Sequence, residues 1–187
     1  MLMPGWVPVS AGITSLSQCH YLQSVTFMLG TSPTKRRCYP LHNMTRIDFY
    51  LLPSTDLTTR LELVCKLAEK AIGRSQAVFI HSNNENDLVL LDNALWDFRA
   101  MSFVAHKLLP AGYVTSSMDN EPVQLSCGEP ANDRTVLINM AAEVPSFFSR
   151  FERTLEVVDE ESDIKTAGRM RYRFYQQRGY PLQHHKM

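Results

Sequence analysis

Ile47-Asp48-Phe49-Tyr50-Leu51-Leu52, closed by Pro53-Ser54-Thr55-Asp56, decides the fold. The first six residues are mostly β-branched, aromatic or aliphatic, and Pro53 ends them, so they read as a buried strand. Ser54, Thr55 and Asp56 are candidates for the cap of a helix. Leu61, Val64, Cys65, Ala68, Ala71 and Ile72 then recur at helical spacing, and Gly73 stops the helix. A buried strand running through a polar cap into an amphipathic helix is the unit of an α/β fold.

The unit recurs along the chain. Ala77-Val78-Phe79-Ile80 reads as a second strand, the polar turn Ser82-Asn83-Asn84 follows, and Leu88, Leu91 and Leu95 share one helix face. Phe103-Val104 is the candidate third strand. Residues 109–134 are rich in Pro, Gly, Asn, Asp and Ser and read mostly as loop, with Val123-Gln124-Leu125 a strand inside them. Thr135-Val136-Leu137-Ile138-Asn139 is a strand. Pro145 is expected to open a helix through Phe148, Phe151 and Leu155, with Val157-Val158 as the last strand. Asp159 to Asp163 give an acidic first turn to a final helix reaching about Arg178, with Gly179 just past its end. His184-His185 reads as a solvated tail. Strands alternating with helices predict an α/β, Rossmann-like, mainly parallel sheet with helices on both faces.

Composition bounds the function. The 187 residues suit one domain, and 44% hydrophobic with 20% charged residues is ordinary for a globular protein. No stretch approaches the roughly 20 apolar residues of a membrane helix. The formal net charge is zero, from 19 basic and 19 acidic residues, which speaks against bulk electrostatic binding. Residues 1–43 hold no Asp or Glu and three cations, Lys35, Arg36 and Arg37, so the remainder carries a net charge of −3. This segment has no clear period. It faintly resembles an organelle transit peptide, but the plainer reading makes Met44 the natural start, with 1–43 a loosely attached extension and 44–187 the single domain. Cys19, Cys38, Cys65 and Cys127 form no CxxC pair and have no His at zinc-ligand spacing, so they read as free thiols of a cytoplasmic protein, with Cys65 in the core.

An open α/β sheet invites a nucleotide site, whose usual requirement is a glycine-rich first turn that lets backbone amides approach phosphate. Here that turn is Pro53-Ser54-Thr55-Asp56, and the eight glycines never fall as GxGxxG or as a phosphate-binding loop. No cofactor is expected. His81 and His106 are each placed after a strand, where α/β sites occur. Neither has an identified carboxylate partner, so both read as surface or capping residues. Cys127 with either histidine is the residual candidate for thiol chemistry.

The C-terminal segment is different. Lys165, Arg169 and Arg173 stand at i, i+4 and i+8, one cationic stripe on a helix, and Tyr172 flanks it. Arg171, Tyr175, Arg178 and Tyr180 add further basic and aromatic groups. The bland reading is a solvated face with the tyrosines packed inward. One functional reading is a site for an acidic peptide, with Val158 and the Tyr172 ring as an apolar floor. The other is single-stranded nucleic acid, with rings stacking on bases and arginines on phosphates.

Three stretches, taken in order, carry a family resemblance. They are Phe49-Tyr50-Leu51-Leu52; Leu91-Asp92-Asn93-Ala94-Leu95-Trp96 followed by Ser102-Phe103-Val104; and Arg171-Tyr172-Arg173-Phe174-Tyr175 with Gly179. Together they resemble the chi subunit of bacterial DNA polymerase III holoenzyme, over about Met44 to the C-terminus. The resemblance implies a Rossmann-like, non-catalytic accessory protein of the clamp-loader assembly that binds no nucleotide and works in the cytoplasmic replisome. It implies two partners, the psi subunit and the acidic, Pro-Phe-terminated tail of single-stranded DNA-binding protein, so that DNA is met only indirectly. Carried over by position, the tail-binding residues are Val158, Lys165, Arg169, Tyr172 and Arg173, the last standing where the family can have Lys. Trp96 and Phe103 fall on the psi-contacting surface, for which a repair helicase competes in some relatives; by position alone Trp96, which follows the apolar face at Leu95 and ends the helix, reads equally as core packing. Ala105 stands where the family often has Pro.

Overall fold

The computed structural model describes residues 44–110, 113, 120–130 and 134–187. The expectations for residues 1–43, Cys19 and Cys38 among them, lie outside the described residues. The element order is β1 (Arg46–Leu51), α1 (Leu57–Ile72), β2 (Val78–His81), α2 (Glu85–Asp97), β3 (His106–Leu109), β4 (Val123–Ser126), β5 (Val136–Asn139), a 3-10 turn (Phe148–Arg150), β6 (Arg153–Val158), α3 (Ser162–Gln177) and β7 (Leu182–Lys186). The strands form one sheet in the order β3-β4-β2-β5-β6-β1-β7, and every pairing among the described residues is parallel. This is the α/β, Rossmann-like class the alternating pattern predicts.

Strand alternation divides the core into two layers. Tyr50, Val78, Ile80, Val136, Ile138, Leu155 and Val157 point to the face covered by α1 and α2. Ile47, Phe49, Phe79, Leu137 and Val158 point to the face covered by α3, where Phe147, Phe148, Phe151 and Tyr175 complete the layer. Caps set the helix starts. The Asp56 carboxylate accepts from the Thr58 and Thr59 amides, and the Asn84 side chain accepts from the Asn86 amide. Gly179, at φ +76°, adopts the left-handed conformation that turns the chain from α3 into β7.

Four expectations are corrected. Phe103-Val104 is not a strand. Val104 is buried, which gave the apolar signal, but pairing with β4 begins only at His106. No helix runs from Pro145 to Leu155. The phenylalanines at 147, 148 and 151 mimic helical spacing because a single 3-10 turn folds them onto the sheet, and Leu155 is already within β6. Val157-Val158 is the end of that six-residue strand, not the last strand. His184-His185 is no solvated tail. It lies in β7, an edge strand paired with β1 in the register Phe49–His184 and Tyr50–His185.

Helix α3 crosses β6 at Gly168. A Cβ there would lie 2.9 and 3.0 Å from the two Val158 methyls, too close for a short branched side chain to yield. Gly168→Ala is therefore expected to push α3 off β6 and destabilise the fold by about 1–3 kcal/mol, read from urea unfolding midpoints.

Candidate functional site

One charged group sets the orientation of α3. Glu156, fully buried in β6, accepts from Arg171 Nε at 2.7 Å, from the Tyr175 hydroxyl at 2.7 Å and from Asn139 Nδ2 at 3.1 and 3.2 Å. Arg171 also donates to the Ala142 carbonyl at 2.9 Å. Burial, then the Glu156 charge, pushes the Tyr175 phenol far up, so it remains a donor. Arg171 thus leaves the basic surface on which the sequence reading counted it, while Tyr175 packs inward as the bland reading had it. Tyr180 is half-buried against Phe148, and Arg178 lies flat on the Phe174 ring with 3.5 Å from guanidinium carbon to centroid.

With Gly168, Arg171 and Tyr175 turned inward, helical spacing places Lys165, Arg169 and Arg173 on the outer side of α3. Lys165 pairs with Glu160 at the edge of the stripe. Arg169 and Arg173 are exposed, and neither has an acidic partner among the described residues. The half-buried Tyr172 ring contacts Phe49 edge-on at 5.5 Å and His184 at 5.2 Å. Val158 lies beneath, only 6% exposed, against Gly168. The floor of the site is therefore mainly the Tyr172 ring, with Val158 as its support. The sequence reading missed His184, because only strand pairing of the last residues brings it beside Tyr172. Phe49 and His184, their own centroids 6.0 Å apart, meet Tyr172 from one side and fix the ring beside the cations, an arrangement that suits carboxylates and an apolar anchor.

A second surface forms where α2 ends. Trp96 is 48% exposed and Phe103 68%, with their rings 4.9 Å apart, so Trp96 is not a core residue. Val89, Leu90 and Met101 are exposed apolar residues of the same helix and loop, and Met101 has φ +63°. The Trp96 ring rests on His106 at 4.8 Å. His106 Nδ1 meets the Val104 carbonyl at 2.6 Å, and Nε2 lies 3.2 Å from an Asp92 carboxylate oxygen without the alignment of a hydrogen bond. The signal in the sequence was that Val89 and Leu90 fall off the Leu88, Leu91 and Leu95 face.

The candidates for thiol chemistry are not brought together. His81 is buried at the carboxyl end of β2, with Nδ1 3.2 Å from the Ser126 carbonyl, so it is neither a surface nor a capping residue. His106 opens β3 rather than following a strand, and it does have a carboxylate neighbour, Asp92. Burial raises the Cys127 thiol above its usual range, and no hydrogen bond among the described residues joins it to either histidine. Cys65 is core as expected, its thiol pushed up to about 12 by burial. No group of three or more His, Cys, Asp or Glu among the described residues is placed to hold a metal.

The family described as "DNA polymerase III chi subunit, HolC" matches residues 44–183. A Pseudomonas aeruginosa protein named DNA polymerase III subunit chi is 43% identical over 146 residues, covering 77% of this chain and 98% of that protein. Proteins of the same name from Escherichia coli and Haemophilus influenzae are 28% identical over 145 residues and 29% over 137. These cover 74% and 72% of this chain, and 96% and 92% of the respective proteins.

Burial of His81 has a measurable consequence. Desolvation holds its folded-state pKa below the ordinary 6.5, against smaller opposing contributions from Ser126 and Asn83. The unfolded chain therefore takes up a proton at higher pH than the folded one. Stability is expected to be full above about pH 6.5 and to fall as pH drops below it. Urea midpoints measured from pH 7.5 to 5.5 should decline, and the decline should be smaller in His81→Gln.

Proposed function

The chain belongs to the DNA polymerase III chi subunit family, accessory subunits of DNA replication, and from that premise we propose that it bridges two proteins of the replication machinery. The α3 face takes the acidic C-terminal tail of single-stranded DNA-binding protein. The Trp96–Phe103 surface takes the psi subunit, and through it the clamp loader. The protein contributes binding rather than a catalytic step, in the cytoplasmic replisome. The observation that carries this reading is the pair of exposed cations, Arg169 and Arg173, with no acidic partner among the described residues beside a fixed Tyr172 ring. Such cations meet carboxylates without first breaking an internal ion pair, and the ring offers an apolar contact for a terminal phenylalanine. Lys165 joins them by exchanging Glu160 for a ligand carboxylate, and Val158 backs the ring.

The second surface supports the same reading. Trp96, Phe103 and Met101 are large apolar side chains left exposed together, the composition of an interface core rather than of ordinary surface. Because α2 and α3 cover opposite faces of the sheet, the two partners need not compete.

Calorimetric titration with a peptide of several acidic residues ending in Pro-Phe should give micromolar affinity that weakens with added salt. Arg169→Ala and Tyr172→Ala should each weaken it at least tenfold, about 1.4 kcal/mol, with the fold retained. Undiminished binding by both variants would overturn the pocket assignment. Phe103→Ala and Trp96→Ala should abolish co-elution with psi while leaving the peptide titration unchanged. At exposed Phe103 the change in stability should stay within about 0.5 kcal/mol.

A further inference from the structure

The α1 side of the sheet carries a second cationic site, which neither the bridging reading nor the family match assigns. A cleft of about 780 Å³ opens between the C-terminal half of α1 and the edge formed by β6, β1 and β7. Arg46, Lys66, Lys70, Arg74, Arg153 and Lys186 line it, and no Asp or Glu does. Lys66 and Lys70 stand one turn apart on α1, a step of about 6 Å, and Arg74 follows in the turn just past its end. Arg46 and Arg153 rise from the sheet and are fixed from behind by Asp48, whose side chain is fully buried. His185, also lining the cleft, completes that anchor at 3.2 Å from Asp48 and stacks on Tyr50 with centroids 4.6 Å apart.

Ordinary helix capping explains only part of this. Lys70 and Arg74 suit the negative end of the α1 dipole. That account does not cover Arg46, Arg153 and Lys186, which converge from three different strands. The Lys66–Glu62 pair at 3.2 Å is half-exposed on both sides and so is readily exchanged for a ligand anion.

The rest of the lining selects the ligand. The apolar residues Leu63, Leu67, Ala71, Val136 and Leu155 are each no more than 7% exposed, so the apolar lining open to a ligand is Met187, 58% exposed. Tyr50 is equally buried, and the ring that reaches the cleft is His185, stacked on Tyr50 with its side chain 36% exposed. Recognition here rests mainly on charge, along two facing walls. We infer that this cleft binds the phosphodiester backbone of a short run of single-stranded nucleic acid, without regard to sequence. The inference departs from the expectation that DNA is met only through its coating protein, and it is independent of the tail-binding site on α3.

The test is fluorescence anisotropy of a fluorescein-labelled oligothymidylate with the full chain alone, titrated at several salt concentrations. Binding is expected at low salt, with log K falling by about 0.7 per neutralised phosphate as log salt rises. Lys70→Glu combined with Arg74→Glu, both at exposed positions, should cut affinity tenfold or more and flatten the salt slope, with an unchanged circular-dichroism melt. Arg169→Ala should leave oligothymidylate binding intact while weakening the acidic peptide. The inference is overturned if the wild-type chain fails to bind the oligonucleotide, if the double variant binds as well as wild type, or if Arg169→Ala loses as much. Equal affinity for a labelled hairpin duplex overturns the single-strand assignment. Loss of acidic-peptide affinity in the double variant, with oligonucleotide binding kept, overturns it in favour of a protein partner.

Discussion

Glu156 is the group on which the α3 half of the molecule depends. A carboxylate with no exposed surface is costly unless its oxygens are filled, and four donor contacts from Arg171, Tyr175 and Asn139 fill them. Apolar packing alone would let α3 rotate or slide by a residue. A carboxylate that must meet Arg171 and Tyr175 together does not allow it, because these positions are one turn apart and point the same way. Removing one partner of such a buried pair costs about 3–5 kcal/mol, since the other charge is left uncompensated. The outward stripe of Lys165, Arg169 and Arg173 is thus fixed in place by a charge that never reaches the surface.

Asp48 plays a matching part on the opposite face. Burial opposes its ionisation, but Arg153, His185 and Arg46 outweigh burial and hold the carboxyl below the usual range. The same contacts bind β7 to the sheet edge and set the two arginines that rim the α1 cleft. A parallel edge strand with three exposed residues among its five has little apolar surface to hold it. The His185–Asp48 contact and the stacking of His185 on Tyr50 supply what burial does not.

The elements that the sequence made legible are those whose apolar period is uninterrupted. In α1, seven buried residues follow the helical repeat behind the Asp56 cap, and β1, β2 and β5 are near-continuous apolar runs, as strands covered on both faces must be. β6 was obscured because Thr154 and Glu156, both fully buried, interrupt its apolar residues, and because the nearby phenylalanines imitate a helix. β7 was invisible for the opposite reason, since Gln183, His184, His185 and Lys186 carry no strand pattern and only pairing with β1 orders them. The stripe on α3 could be read from spacing alone. That Arg171, equally cationic in sequence, faces inward could not, because its buried partner Glu156 lies fifteen residues away on a strand that had not been recognised.

Two stretches of this chain carry cations at i, i+4 and i+8, Lys66-Lys70-Arg74 running off the end of α1 and Lys165-Arg169-Arg173 on α3, yet the two stripes are not equivalent. The stripe itself says only that an anion is welcome. What lies beside it decides which anion. Next to Arg169 stands a half-buried tyrosine ring backed by Phe49 and His184, a surface that rewards a ligand with both carboxylates and an apolar end. Opposite Lys70 stand Arg46 and Arg153, with Met187 the exposed apolar residue among them, a surface that rewards charge on two sides before anything apolar. A chain of zero net charge can therefore hold two anion sites of different selectivity, because acidic groups are placed behind the cations, as Asp48 and Glu156 are, rather than among them.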